Sequence, residues 1–179
     1  MAEIESKKQL IKENIRAYND FPKPGIVFRD VFSILQNPEL FSILRELLTF
    51  SAKSFEVKPD VIVGLDSRGF LFATLVALDL QVPFVPIRKK GKLPGPTKAA
   101  SYTLEYGTDA LEISTDAIGK GQNALIIDDL LGTGGTLQTA CNLVKEVGGN
   151  ISGCLLVIEL KELNGKSKIN YPVQSLVQY

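Results

Sequence analysis

Ala124-Leu-Ile-Ile-Asp-Asp-Leu-Leu-Gly-Thr-Gly-Gly-Thr136 decides how this chain is read: an apolar run ends in two carboxylates and passes straight into a Gly/Thr loop. An unbroken run of aliphatic residues that includes Ile126 and Ile127 suits a strand buried on both faces of a parallel sheet. Beyond Thr136 the period changes. Leu137, Cys141, Val144 and Val147 recur at helical spacing. The loop therefore opens onto a helix N-terminus, whose unpaired N–H groups and dipole favour an anion such as a phosphate.

The acidic pair makes this loop more specific than a generic phosphate loop. Carboxylates repel phosphate, so Asp128 and Asp129 must face hydroxyls or a hydrated metal ion. A sugar phosphate meets both demands, with its phosphate in Gly132, Thr133, Gly134, Gly135 and Thr136 and its ribose diol on Asp128 and Asp129. A Walker-type assignment fails because the chain contains no G-x-x-x-x-G-K-[ST], and a Rossmann fingerprint fails because Gly132, Gly134 and Gly135 do not spell G-x-G-x-x-G. The arrangement resembles the phosphoribosyl-diphosphate motif of the type I phosphoribosyltransferases.

Working outward, the same strand, loop and helix pattern repeats. Pro59-Asp-Val-Ile-Val-Gly-Leu-Asp66 is a second buried strand, followed by Ser67-Arg-Gly69 and an apolar helix from Phe70 to Leu80. Pro83-Phe-Val-Pro-Ile87 runs into Arg88-Lys-Lys-Gly-Lys-Leu-Pro-Gly-Pro-Thr97, too rich in Gly, Pro and charge for regular structure. Tyr102–Tyr106 and Ala110–Ile113, separated by Gly107-Thr-Asp109, are expected to form a short β-hairpin. Gly148-Gly149 stops the helix that follows the loop, and Ser152–Ile158 and Ser175–Tyr179 are further strands. Nearer the start, residues 3–18 place Ile4, Ile11, Ile15 and Tyr18 on one helical stripe. Asp20-Phe-Pro-Lys-Pro-Gly25 breaks that helix and leads into a rigid loop, Ile26-Val-Phe-Arg-Asp30. Asn37-Pro38-Glu39 starts another helix, with an N-cap and a first-turn proline. This predicts an α/β fold, a mostly parallel twisted sheet flanked by helices with a flexible loop and hairpin. Residues 1–179 are expected to form one domain, with the N-terminal helix and a loop at about 1–36 as its first part.

Composition narrows the chemistry. The chain has 20 basic and 20 acidic side chains and no formal net charge, so no bulk attraction to nucleic acid or an anionic membrane is expected. With no basic-apolar signal at its start and only short apolar stretches, it is expected in the cytoplasm. Histidine is absent, which removes Ser-His-Asp and Cys-His triads and the common zinc sites. Cys141 and Cys154 have apolar neighbours and read as buried reduced thiols. Asn150-Ile-Ser152 spells a glycosylation sequon, but without a secretory signal it has no route to modification.

In an open parallel sheet, ligands bind beyond the carboxyl ends of the strands. Asp66, Ser67 and Arg68 stand at one such end, where Arg68 suits a diphosphate or an ordinary ion pair and Gly69 permits close backbone approach. Arg88, Lys89 and Lys92 stand at another, as cations for pyrophosphate or as a solvated charge run.

Phe21-Pro-Lys-Pro-Gly-Ile-Val-Phe-Arg-Asp30, Gly64-Leu-Asp-Ser-Arg-Gly-Phe-Leu-Phe72, residues 87–97, Ser101-Tyr-Thr-Leu-Glu-Tyr-Gly107 and the 124–136 segment together resemble the adenine phosphoribosyltransferases nearly end to end. The acidic-pair segment specifies only the superfamily. The F-P-x-P-G-x-x-F-R-D and S-Y-x-L-E-Y-G segments are characteristic of the adenine branch. Gly132 departs mildly, since relatives often carry Ala there, and its smaller side chain is expected to loosen the loop.

The resemblance implies transfer of a ribosyl phosphate from phosphoribosyl diphosphate to adenine, releasing pyrophosphate and forming AMP in purine salvage. It implies Mg2+ as cofactor, a homodimer, and pyrophosphate held by Asp66, Ser67, Arg68, Arg88, Lys89 and Lys92, some of them across the dimer interface. It places adenine on Phe28, with backbone groups of Val27 and Arg29 reading its amino edge, and gives Glu105 the proton lost by the imidazole ring, with Tyr106 ordering the loop. On pattern alone Glu105 is a surface glutamate at a strand edge, and Phe28 suits core packing. Two competing readings are a non-catalytic regulator that keeps the loop, and an oxopurine phosphoribosyltransferase, which the segment around Phe28 disfavours. Fold alone does not separate them.

Overall fold

The structure, a computed structural model, describes residues 2–104 and 107–179. The chain divides into two compact units, residues 1–47 and 48–179.

In the first unit, helix α1 (Ala2–Asn14) is followed by strand β1 (Arg16–Asn19), strand β2 (Val27–Asp30) and the short helix α2 (Phe32–Leu35). Helix α3 (Pro38–Ser54) spans the boundary between the units. The helix expected over 3–18 thus stops at Asn14. Ile11 and Ile15 are buried as that stripe requires, but Tyr18 is exposed and lies in β1, opposite Phe28 of β2. Val27, Phe28 and Arg29 are likewise strand residues rather than loop residues. Asp20 Oδ1 accepts the N–H of Gly25 at 2.7 Å, and the 20–26 segment closes the antiparallel pair. The Ser33 hydroxyl accepts the N–H of Arg16 at 3.1 Å and shares its single proton between the carbonyls of Asn14 (3.0 Å) and Asp30 (2.8 Å), tying residues 14–16 to residues 30–33. Asn37 caps α3 as expected, its Oδ1 accepting the N–H of Glu39 at 2.9 Å.

The second unit holds the sheet. Strand β3 (Val61–Leu65), helix α4 (Gly69–Leu80), strands β4 (Phe84–Lys89), β5 (Thr97–Leu104), β6 (Gly107–Ser114) and β7 (Asn123–Leu131), helix α5 (Gly135–Glu146) and strands β8 (Asn150–Glu159) and β9 (Val173–Gln178) follow in order. The sheet order is β5-β6-β4-β3-β7-β8-β9, parallel from β4 to β9, with the β5/β6 hairpin antiparallel at one edge. The hairpin is longer than expected. Thr97 already belongs to β5, and Gly107 to Asp109 pair within β6 instead of forming the turn. The apolar runs behave as two-sided strands should: all of β3 and residues 124–127 and 154–158 are buried. Burial of each large aliphatic side chain contributes about 1.5–3 kcal/mol.

The direction of the connections across the sheet positions the site. Strand β3 leads through α4 to β4 on one side, whereas β7 leads through α5 to β8 on the other. The chain therefore diverges between β3 and β7, and their carboxyl-end loops leave a crevice between them.

Candidate active site

Two loops meet over this crevice. After β3 comes Asp66-Ser67-Arg68, joined by a cis peptide bond between Asp66 and Ser67, and then α4. At the end of β7 stand Asp128 and Asp129, still within the strand, and then residues 132–134. Gly69 permits a close approach, but to the neighbouring strand. A Cβ there would lie 2.8 Å from Asp128 Oδ1 and 2.8 Å from the Ile127 carbonyl oxygen. The first turn of α4 thereby rests directly on the acidic end of β7.

Arg68 makes an ion pair. Its Nε lies 2.7 Å from Oδ2 of the buried Asp129, bridging the two loops of the crevice. Asp128 Oδ1 accepts the N–H of Asp129 at 2.9 Å. Burial raises the pKa of Asp128 well above the usual carboxylate range, and the charge of Asp129 adds to it. Burial also raises Asp129, against the opposing pull of Arg68. A carboxylate pair this reluctant to ionise gains from hydroxyl donors or a cation placed before it, as a ribose diol or a hydrated metal would be.

Behind the pair, a cavity of about 220 Å³ is lined by Asp128 and residues 130–137. Gly134 has φ +84° and turns the chain into α5. The first helical bond from this end runs from the N–H of Gln138 to the carbonyl of Gly134 at 2.9 Å. The N–H groups of Gly135, Thr136 and Leu137 consequently have no partner within the helix, and all three residues line the cavity. Gly132, Thr133, Gly134, Gly135 and Thr136 surround the positive end of a helix dipole, an arrangement that can seat an anion.

The basic cluster sits at the end of β4. Arg88 Nε lies 3.0 Å from Asp66 Oδ2, and its Nη1 donates to the Lys92 carbonyl at 3.1 Å. Lys89 Nζ is 3.3 Å from Asp109 Oδ2, and Lys92 is exposed. The structure adds Glu112, whose importance the sequence did not advertise. Its Oε1 accepts the N–H groups of Lys92 (2.7 Å) and Leu93 (2.8 Å), and its Oε2 accepts the Thr97 hydroxyl at 3.2 Å. Burial pushes this carboxyl up, but the N–H groups of Leu93, Gly91 and Lys92 together with Thr97 outweigh it and hold the pKa below the ordinary value. The available signal was a lone glutamate between Leu111 and Ile113, at a strand position of half-buried character.

In the first unit, Phe28 of β2 is half-buried and meets Phe21 edge-on at 5.1 Å, while Val27 is exposed. Phe28 therefore is not a core residue. Glu105 and Tyr106 lie outside the described residues. Cys141 and Cys154 are free and buried, with sulfurs 3.7 Å apart.

Residues 30–177 match the family model of the phosphoribosyl transferase domain. The chain is 47% identical over 175 residues to an adenine phosphoribosyltransferase of Drosophila pseudoobscura pseudoobscura, covering 98% of this chain and 97% of that one. It is similar to the crystal structure of adenine phosphoribosyltransferase from Saccharomyces cerevisiae complexed with an imino-altritol bisphosphate and adenine. That TM-score is 0.91 at 45% identity, with 96% of this chain and 99% of the other covered. An adenine phosphoribosyltransferase structure from Trypanosoma brucei, in complex with AMP, pyrophosphate and ribose-5-phosphate, gives a TM-score of 0.86 at 28% identity, covering 96% and 79%.

Proposed function

The chain belongs to the adenine phosphoribosyltransferases of the phosphoribosyl transferase domain family, and from that premise we propose how its own residues carry the reaction. The enzyme transfers the 5-phosphoribosyl group from phosphoribosyl diphosphate to adenine in purine salvage, giving AMP and pyrophosphate. One observation carries the assignment of roles: the acidic pair of β7 stands directly before an anion seat at the start of α5, so a single sugar phosphate spans both. The 5-phosphate rests on the N–H groups of residues 132–136, and Asp128 and Asp129 accept the ribose hydroxyls.

As the bond from the anomeric carbon to diphosphate breaks, that carbon gains oxocarbenium character and an adenine ring nitrogen forms the new bond. Arg68, Arg88, Lys89 and Lys92, with Asp66 and Ser67 shaping the turn, receive the pyrophosphate. Arg68 and Arg88 are held beside carboxylates, which fixes their direction and so favours pre-organised binding. Magnesium suits this donor set. Among the described residues no group of three or more His, Cys, Asp or Glu would cage a metal, and two carboxylates beside substrate oxygens and water are the usual Mg2+ environment. When bound, the ion neutralises charge on the departing diphosphate.

Adenine is read by Val27, Phe28 and Arg29, and the imidazole proton passes to Glu105, with Tyr106 ordering its loop. Glu105→Ala is expected to lower turnover about 10²–10⁴-fold with substrate binding retained. Unchanged single-turnover rates would remove Glu105 from the mechanism. The reading includes a cytoplasmic homodimer acting on small molecules, tested for subunit number by light scattering. Among the described residues no helix is long and apolar enough to cross a membrane.

The direct test is chromatographic. Purified protein, magnesium and phosphoribosyl diphosphate are mixed with adenine, hypoxanthine or guanine, with and without chelator. AMP from adenine alone, lost on chelation, supports transferase, base choice and metal together. Absence of any nucleotide despite phosphoribosyl diphosphate binding favours the regulator reading.

A further inference from the structure

The anion seat is held from beneath by a segment outside the 124–136 stretch. After β8 the chain makes two 3-10 turns, Lys161–Leu163 and Gly165–Lys168, and Gly165 is buried. A Cβ on Gly165 would collide with the Gly132 carbonyl oxygen and lie 2.7 Å from the Gly134 nitrogen and 2.8 Å from the Thr133 carbonyl carbon. The reciprocal contact is equally tight. A Cβ on Gly134 would meet the Gly165 carbonyl oxygen at 2.5 Å. Two backbones are thus apposed with no side chain between them.

Glycine at 165 is required for space, not for backbone conformation. The left-handed residue of this turn is Asn164, at φ 47°, whereas Gly165 is absent from the positive-φ positions. Any L-residue can adopt the turn itself. What it cannot do is leave Gly132, Thr133 and Gly134 at their present depth. Leu163 contributes at the same place, its Cδ1 lying 3.4 Å from where a Gly132 Cβ would be.

We propose that Gly165 is a positioning residue for the 5-phosphate: by admitting the backbone of residues 132–134 to direct contact, it sets where their N–H groups stand. The inference rests on the assignment of residues 132–136 as the phosphate seat. It adds that a buried glycine 29 residues beyond Thr136 (165 − 136) controls their affinity.

The test separates the two anions of the substrate. Isothermal titration of Gly165→Ala with ribose 5-phosphate and with pyrophosphate, each alone, is compared with the parent protein. Ribose 5-phosphate is expected to bind about 10–100-fold more weakly, the order of losing one N–H bond to a charged phosphate, with pyrophosphate affinity unchanged. KM for phosphoribosyl diphosphate rises accordingly while kcat at saturation holds. Gly121→Ala is the control: it strains another glycine at φ +81° with nothing within 4 Å, so it lowers stability without moving either affinity. Should Gly165→Ala not yield folded protein, amide hydrogen exchange of the parent carries the comparison: ribose 5-phosphate, and not pyrophosphate, is expected to slow exchange across residues 163–168 together with 132–136, and protection of 132–136 without 163–168 overturns the proposal. Equal ribose 5-phosphate affinity in the folded variant and parent overturns the proposal alone, as does parallel loss of both anions. A parent protein that binds pyrophosphate but not ribose 5-phosphate overturns the phosphate-seat assignment, and this proposal with it.

Discussion

Arg68 and Asp129 bring a stability argument and the proposed binding role onto one pair. Asp129 is buried and its guanidinium partner lies 2.7 Å away, so Arg68→Ala leaves a desolvated carboxylate without that partner. The expected cost is about 1–3 kcal/mol in urea unfolding. Adding Asp129→Asn should recover most of that stability, because the orphaned charge is gone; no recovery would show that Arg68 stabilises by packing and not by its pairing with Asp129. In the single Arg68→Ala variant pyrophosphate affinity should fall, and an unchanged value would make Arg68 purely structural. Gly132 makes the opposite case. A methyl there would meet only Leu163 at 3.4 Å and Leu130 at 3.7 Å, ordinary contacts, and its φ is not in the left-handed region. Gly132→Ala is therefore expected to fold normally and to gain about 0.4–1 kcal/mol from the restricted unfolded chain, read as a higher urea midpoint.

Among the elements, the loop between β4 and β5 owes its shape to β6. Glu112 accepts the N–H groups of Lys92 and Leu93, which places the basic residues of that loop. Because its pKa is lowered in the folded protein, its contribution is fully present above the ordinary glutamate range and is lost as pH falls through the lower folded value. Glu112→Gln should thus destabilise the protein by about 1–2 kcal/mol near neutrality and by less in acid. Parallel unfolding curves at both pH values check this; a pH-independent difference would show that shape, not charge, matters. The lone acid between Leu111 and Ile113 marks a carboxylate in a strand but not its partners, since Glu112 and Lys92 are joined only when β6 pairs with β4. Legibility followed the same rule elsewhere. β3, β7, β8 and their helices were readable because two-sided burial leaves continuous apolar runs. The β1/β2 pair was not: all four residues of β1 are exposed, so no alternation marks it, and Ile15 extended the helical stripe past the true end at Asn14.

At the scale of the molecule, the loop residues of the site were legible as types and unreadable as pairs. Asp128, Asp129 and the 132–136 seat form one local segment. The bridges from Arg68 to Asp129, from Arg88 to Asp66 and from Gly165 to Gly134 instead join residues that only the sheet order brings together. This distribution has a thermodynamic consequence. The seat is built from β7, α5 and the turn after β8, and buried residues of β7, α5 and β8 belong to the apolar cluster that also takes in β3, β4 and β6. It cannot survive unfolding of that cluster, so a ligand of the seat binds the folded state only. Ribose 5-phosphate at one hundred times its dissociation constant should then add about 2.7 kcal/mol of stability, a rise of about 5–10 °C in Tm for a unit of this size. Thermal scans over a concentration series measure it, and the rise should follow the logarithm of ligand concentration. A Tm that ignores ribose 5-phosphate while titration reports binding would mean that the seat persists in the unfolded chain or that the ligand binds elsewhere, and either result contradicts a site made by long-range backbone contact.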